Sequence, residues 1–145
     1  MRKVFISTTS FAEDDETPLR LLKSSGLDVS LNPLARKLNE QEISGFLSDA
    51  DYLIAGTEPL TRAVLESAKK LKVVSRVGAG LDNVDLSAAK QLKIRVYNTP
   101  FGPTQAVSEL VVGLILDLIR KISSMDKEVK SGVWNVVWGF SRLKK

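Results

Sequence analysis

The stretch RVGAGLDNVD, residues 76–85, decides the fold of this chain. An apolar run from Lys72 to Val77 leads into it and reads as a strand. A second apolar run, Ile94 to Asn98, reads as another, with a short helical pattern between the two. Strand, glycine turn, helix and strand in that order make the βαβ unit of a parallel sheet. Glycines at 78 and 80 let main-chain N–H groups approach an anion closely, and ligands of open α/β sheets sit beyond the carboxyl ends of the strands. A small anionic ligand is therefore expected at this turn first. The spacing is not a dinucleotide fingerprint. Asn83 stands where the third glycine belongs, and Tyr97 to Phe101 carries no acidic residue to reach a ribose. On spacing alone, a ligand loop and a plain strand-to-helix turn remain equally open.

Upstream of the turn the same alternation repeats. Lys3 to Thr8 reads as a buried strand that ends in the hydroxyl-rich run Ser7-Thr8-Thr9-Ser10. That run lacks the glycine of a phosphate cradle, so a polar connection is the favoured reading. Acidic residues from Glu13 to Glu16 and the pair Thr17-Pro18 mark a helix start, Leu19 and Leu22 give it an apolar face, and Gly26 ends it. Asp28 to Asn32 alternates as a short strand. Asn39 and Glu42 form a capping-box pattern ahead of Ile43, Phe46 and Leu47. Tyr52 to Ala55 is a third strand. Thr61 caps a helix whose apolar face is Val64, Leu65, Ala68 and Leu71, and Asp85 caps a short helix through Gln91. Five strands alternating with helices predict an α/β fold, a flavodoxin-like doubly wound parallel sheet.

The pattern changes at Pro100. Thr104 is placed to cap a long helix to about Ile122. Val107, Leu110, Val111, Leu114 and Leu118 make one apolar face, and Val112, Ile115, Leu116 and Ile119 make another. A helix apolar nearly all round needs cover on most sides. The segment from Val107 to Ile119 is therefore expected to meet a further domain or a second copy of the chain. Asp117 interrupts a run already too short for a membrane span of about 20 residues. Gly113 in mid-helix costs about 1 kcal/mol against alanine and is a candidate for a close helix contact. A second, polar helix is expected from about Ser123 to Lys130, ended by Gly132 and followed by Trp134 and Trp138 in a tail that needs a docking surface. The expected organisation is one domain over residues 1–100, then an interdomain helix and tail over 101–145.

Composition removes several chemistries. The 145 residues include no cysteine and no histidine. That excludes thiol nucleophiles, disulfides, zinc–thiolate sites and histidine-dependent proton transfer, and it removes the commonest metal ligand, so no metal site is expected and any enzymatic reading must account for the gap. A net charge of +4 is spread among acids except in the tail Arg142 to Lys145, which argues against a nucleic-acid surface. The lack of cysteine and of a signal segment fits a cytoplasmic protein. A phospho-receiver domain shares this topology, but Ser7-Thr8-Thr9 and Ala55-Gly56 lack the acidic residues it needs.

The segments LKVVSRVGAGLDNVDLSAA, VYNTPFGPTQAVSEL, LIRKI and SGVW, with the earlier AGTEPLT, keep one order and spacing. Together they resemble the NAD-dependent D-2-hydroxyacid dehydrogenases, specifically the 3-phosphoglycerate dehydrogenase-like group. The resemblance implies a substrate domain whose long helix crosses to an NAD-binding Rossmann domain and helps form a homodimer. The glycine fingerprint and the catalytic arginine, acid and histidine would lie beyond Lys145. It implies that Val77, Gly78, Ala79 and Gly80 offer main-chain N–H groups to a substrate carboxylate. Asn98 would lie by the cleft and Thr104 near the nicotinamide, although a turn-former and a helix cap are the plainer readings of these two. Asn83 and Asp85 read as loop and cap residues, and Arg76 as a solvated strand end. The family pattern often has an arginine just after the third strand, for a phosphate. Ala55-Gly56-Thr57 has none, which puts 3-phosphoglycerate itself in question. The implied function is the substrate-binding part of an oxidoreductase moving hydride between NAD and a small D-2-hydroxy acid. The alternative is a stand-alone small-anion-binding module without catalysis.

Overall fold

A computed structural model describes residues 1–102 and 104–134. The chain divides into two units, Met1–Gly102 and Pro103–Lys145. The first contains β1 (Lys3–Ile6), α1 (Thr17–Ser24), β2 (Asp28–Leu31), α2 (Glu40–Leu47), β3 (Tyr52–Ala55), α3 (Arg62–Ser67), β4 (Val73–Arg76), α4 (Leu86–Gln91) and β5 (Arg95–Asn98). All five strands pair in parallel, in the order β2-β1-β3-β4-β5. The order reverses between β1 and β3, so the expected doubly wound sheet is present and its crevice lies at those two carboxyl ends.

Register sorts the side chains. Phe5, Leu53, Val74 and Val96 are neighbours across β1, β3, β4 and β5 and share one face. That face carries the core, closed by Leu38, Ile43, Leu47, Val64, Leu65, Ala88 and Ala89. Phe46 stacks on Phe5 with ring centroids 4.9 Å apart. The opposite row, Ile54, Ser75 and Tyr97, is only partly covered.

The expected helix starts form. Asn39 accepts from the Glu42 N–H while Glu42 accepts from the Asn39 N–H, Thr61 caps α3, and Asp85 caps α4. Ahead of α1 it is Asp15, at 2.9 Å, that accepts the Thr17 N–H. Leu19 and Leu22 are only half-buried, and α1 has no buried residue. Gly26, at φ 73°, ends that helix as expected.

Charge pairs on this unit set its response to acid. Arg36 bridges Glu42 at 2.6 and 2.9 Å, and with the Asn39 N–H holds the carboxyl down to about 2. Lys3 and then Lys70 hold Asp49 down to about 2. The folded chain keeps these groups ionised while the unfolded chain takes up protons near its usual value of about 4. Their contribution is whole above that value and is lost as the pH falls towards about 2. The melting temperature should therefore fall across that window, and Glu42→Gln should flatten the slope. These are partly exposed pairs, so the effect is modest. A melting temperature unchanged across the window would rule the account out.

The second unit contains α5 (Thr104–Arg120) and α6 (Ile122–Lys130). The long helix stops at Arg120, close to its expected end at about Ile122. Lys121 turns left-handed at φ 55°, and the Asp117 carboxyl accepts from both the N–H and the hydroxyl of Ser123. That cap starts the second, polar helix close to the expected junction of about Ile122 and Ser123. Thr104 is the first residue of α5. A β-carbon on Gly113 would meet nothing within 4 Å, so no close helix contact forms there among the described residues. Gly132, at φ 82°, ends α6, with Gly132 N–H bonded to Val129 and Val133 N–H to Glu128. Trp134 is exposed, and Trp138 lies outside the described residues. No described helix is long and apolar enough to cross a membrane.

Candidate functional site

The carboxyl ends of β1, β3, β4 and β5 bring four loops to one edge of the first unit. At the end of β4 the chain turns at Gly78, whose φ of 134° is rarely open to a residue with a side chain. A β-carbon there would lie 1.5 Å from Arg76 Nη1. The guanidinium therefore folds back over the glycine and does not extend as a solvated strand end. Arg76 Nε is buried and has no hydrogen-bond partner among the described residues.

The four turn amides have different fates. Val77 N–H donates to the Ala55 carbonyl at 2.8 Å, continuing the β3–β4 ladder. Gly78 N–H donates to the Thr99 hydroxyl at 2.7 Å, and Thr99 N–H returns a bond to the Gly78 carbonyl at 3.1 Å. Ala79 and Gly80 are exposed, and their N–H groups have no partner among the described residues. Of the four expected donors, two build the turn and two are free to meet a ligand. Asn98 donates from Nδ2 to the Ala79 carbonyl at 2.7 Å, which fixes the peptide that carries the Gly80 N–H. Thr99 was not among the expected site residues. Its only signal is its place directly after Asn98 at the end of a strand.

Asn83 explains the missing third glycine. Its Nδ2 donates to the Glu58 carbonyl at 2.7 Å and to the Gly56 carbonyl at 3.4 Å. Leu60 N–H bonds the Asn83 carbonyl, and Asp85 N–H bonds the Leu60 carbonyl. The segment after the glycine turn is thus tied to the loop after β3, where a dinucleotide motif would bring helix and strand together through glycine.

The loop after β3 is built on a buried carboxyl. Glu58 accepts from the Ser7 hydroxyl and, at 3.1 Å to each oxygen, from the Gly56 N–H. Both Ser7 and Glu58 are only 2% exposed. Beside them opens a pocket of about 270 Å³ lined by Ser7, Thr8, Thr9 and Ser10 after β1, Gly56, Thr57 and Glu58 after β3, Lys37, and Val77 of the glycine turn. It sits at the reversal of strand order. The hydroxyl-rich run after β1, read from sequence as a plain connection, forms one of its walls. Among the described residues no group of three or more acidic, histidine or cysteine side chains could hold a metal ion. Thr104 belongs to the other unit and is exposed there.

A profile of the family described as D-isomer specific 2-hydroxyacid dehydrogenase, catalytic domain, matches residues 6–139. The chain belongs to that family. The D-3-phosphoglycerate dehydrogenase of Sus scrofa is 38% identical over 135 residues, which cover 92% of this chain and 24% of the relative. The hydroxypyruvate reductase of Thermotoga maritima is 32% identical over 122 residues, covering 83% and 39%. Among solved structures, the NAD⁺-bound 3-phosphoglycerate dehydrogenase of Entamoeba histolytica aligns with a TM-score of 0.73 and 30% identity, covering 83% of this chain and 40% of that one. The chain thus spans between about a quarter and two-fifths of the length of these relatives. The resemblance read from residues 55–61 and 72–134 holds, and the match spans nearly the whole chain.

Proposed function

We propose that this chain supplies the substrate-binding wall of a D-2-hydroxyacid dehydrogenase. The observation that carries the reading is the pair of unpartnered N–H groups at Ala79 and Gly80, on a turn held by Thr99 and Asn98. A carboxylate accepting both would be fixed by charge-assisted hydrogen bonds. Val77 and Gly78 shape the turn, and Asn98 orients the Ala79–Gly80 peptide. Hydride transfer belongs to a nicotinamide cofactor. In the parent enzyme NAD would meet Thr104 and be held chiefly by other residues. No residue of this chain is assigned a proton-transfer role. The chain by itself should bind small 2-hydroxy acids without turning them over.

Amide NMR tests the reading. D-Glycerate should shift the Ala79 and Gly80 N–H signals most, and Asn98→Ala should weaken its binding about fivefold, the worth of one hydrogen bond. Unmoved Ala79 and Gly80 signals would sink it, as would NADH oxidation by this chain with hydroxypyruvate.

The long helix supports a second element of the reading, association of two copies through Val107 to Ile119. None of the residues of α5 is buried, and Leu110, Leu114 and Leu118 are each more than half exposed. Light scattering at high concentration should report a dimer, and a clean monomer would exclude it.

A further inference from the structure

The apolar pattern of the second unit continues past the end of its first helix. Val111, Ile115, Leu118, Ile122, Met125 and Val129 follow one another at steps of four, three, four, three and four. That is the seam of a heptad repeat, and it crosses the break at Lys121 without changing phase. The positions turned away from the seam agree with it. Asp117, Arg120, Ser123, Ser124 and Lys127 are polar and Gly113 has no side chain, which leaves Leu116 as the exception. The left-handed turn at Lys121 interrupts the helix in the middle of this seam. Met125 is half-buried, and the other five seam residues are exposed. One continuous helix puts all six on one side.

The bend rests on two bonds, from the Ser123 N–H and hydroxyl to the Asp117 carboxylate at 2.7 and 2.9 Å. It also holds a lysine in a region that favours glycine. Straightening gives up the two bonds and returns Lys121 to the right-handed helix. The composition of the seam then says what covers it. Its two alternating positions hold different residues: Ile115, Ile122 and Val129 at one, all β-branched, and Val111, Leu118 and Met125 at the other. The steps make the first set a and the second d, and β-branched residues at a favour two parallel strands. In a parallel pair the residue just before an a position faces the one five places further along the other chain. Those pairs are Leu114 with Ile119, apolar with apolar, and Lys121 with Asp126, base with acid. The seam is complementary to itself, so a second copy of this chain fits it.

We propose that α5 and α6 join into one helix, from Thr104 to Lys130, and that two copies of the chain pair along it, parallel and in register, as a short coiled coil. The proposal rests on the reading that two copies associate through Val107 to Ile119, and it carries that contact on into α6. The bent pair of helices belongs to the single chain and the straight helix to the paired one. The seam is short, so pairing is reversible and depends on concentration.

The 145-residue chain has no cysteine, so single cysteines placed in it report the geometry. Ile115→Cys and Val129→Cys are made separately and oxidised with glutathione disulfide at a concentration where light scattering reports a dimer. Each should form an interchain disulfide, because like a positions face each other in a parallel pair in register. Lys127→Cys, on the outer side, should cross-link at least about fivefold less. Two further variants test the elbow in the Val129→Cys background. Lys121→Gly and Lys121→Ala remove the same charge and differ in backbone preference, glycine for the left-handed turn and alanine for the continuous helix. Lys121→Gly should therefore cross-link at least about fivefold less than Lys121→Ala. A dimer that cross-links at 115 and not at 129 would overturn the joined helix and leave association through α5 standing. A dimer that cross-links at neither position would overturn the parallel pairing and leave the dimer itself. Equal cross-linking of Lys121→Gly and Lys121→Ala would overturn the link between straightening and pairing. A clean monomer at high concentration would remove the coiled coil together with the association it rests on.

Discussion

Replacing Gly78 by alanine is expected to lower the melting temperature by about 5–20 °C and to abolish binding of small hydroxy acids. Two features act together. The φ of 134° is a conformation that L residues with side chains rarely adopt, and holding one there costs about 1–3 kcal/mol. In a domain of this size, 1 kcal/mol moves the melting temperature by about 4–8 °C. The new β-carbon would also sit 1.5 Å from Arg76 Nη1, so the guanidinium must leave its place over the turn. The guanidinium is the end of a flexible side chain and can move. The backbone strain has no such escape. The cheapest relief is rotation of the peptide at position 78, which breaks the bond from its N–H to Thr99 and swings the Ala79 and Gly80 amides away from each other. Gly80→Ala is the control. Its φ is not positive, and its β-carbon would meet only the Asp82 carboxyl at 3.3 Å, a side chain able to yield. It should cost little in stability. Equal melting temperatures for Gly78→Ala and the parent chain would mean that the turn is not the rigid element it is taken to be.

The two variants also mark what a sequence can disclose. The pattern of strands and helices, the caps at Asn39, Thr61 and Asp85 and the stops at Gly26 and Gly132 are local features, written in residues within one turn of the element they control. They are present where the residues place them. The break was expected near Ile122, but its cause was not legible, because lysine is no signal for a left-handed turn and the cap that stabilises it comes from Asp117, six residues before Ser123. The pairing of Gly78 with Thr99 spans 21 residues and follows from parallel register, which sets Arg76 beside Asn98 and so brings the residues just beyond them together. The pocket was hidden for a similar reason. Its walls come from residues 7–10, 37, 56–58 and 77, and only the reversal of strand order makes the first and third strands neighbours. The run Ser7 to Ser10 itself carries no glycine. The glycine that opens the space is Gly56, on another loop.

Glu58→Ala should be the more damaging change to the second wall of the site, at about 2–4 kcal/mol and a fall of more than about 10 °C in melting temperature. The carboxyl is 2% exposed and stands between two donors. The Ser7 hydroxyl can turn wholly to the Ile54 carbonyl, already 3.1 Å away. The Gly56 N–H has no such alternative, since both of its bonds end on Glu58. Truncation leaves that donor buried without an acceptor and adds a void beside it, each costing on the order of 1–3 kcal/mol. Glu58→Gln separates the two contributions. Its amide oxygen can still accept from Gly56, so it should recover most of the loss. The damage should also travel. Asn83 donates to the carbonyls of both Gly56 and Glu58, so a loop that relaxes at 56–58 releases the segment following the glycine turn. Glu58→Ala should therefore broaden the amide signals of Ala79 and Gly80, although it touches neither. If those signals stay sharp while the protein is destabilised, the two walls of the cleft are independent. A melting temperature within about 3 °C of the parent would mean that the buried carboxyl does not hold the β3 loop.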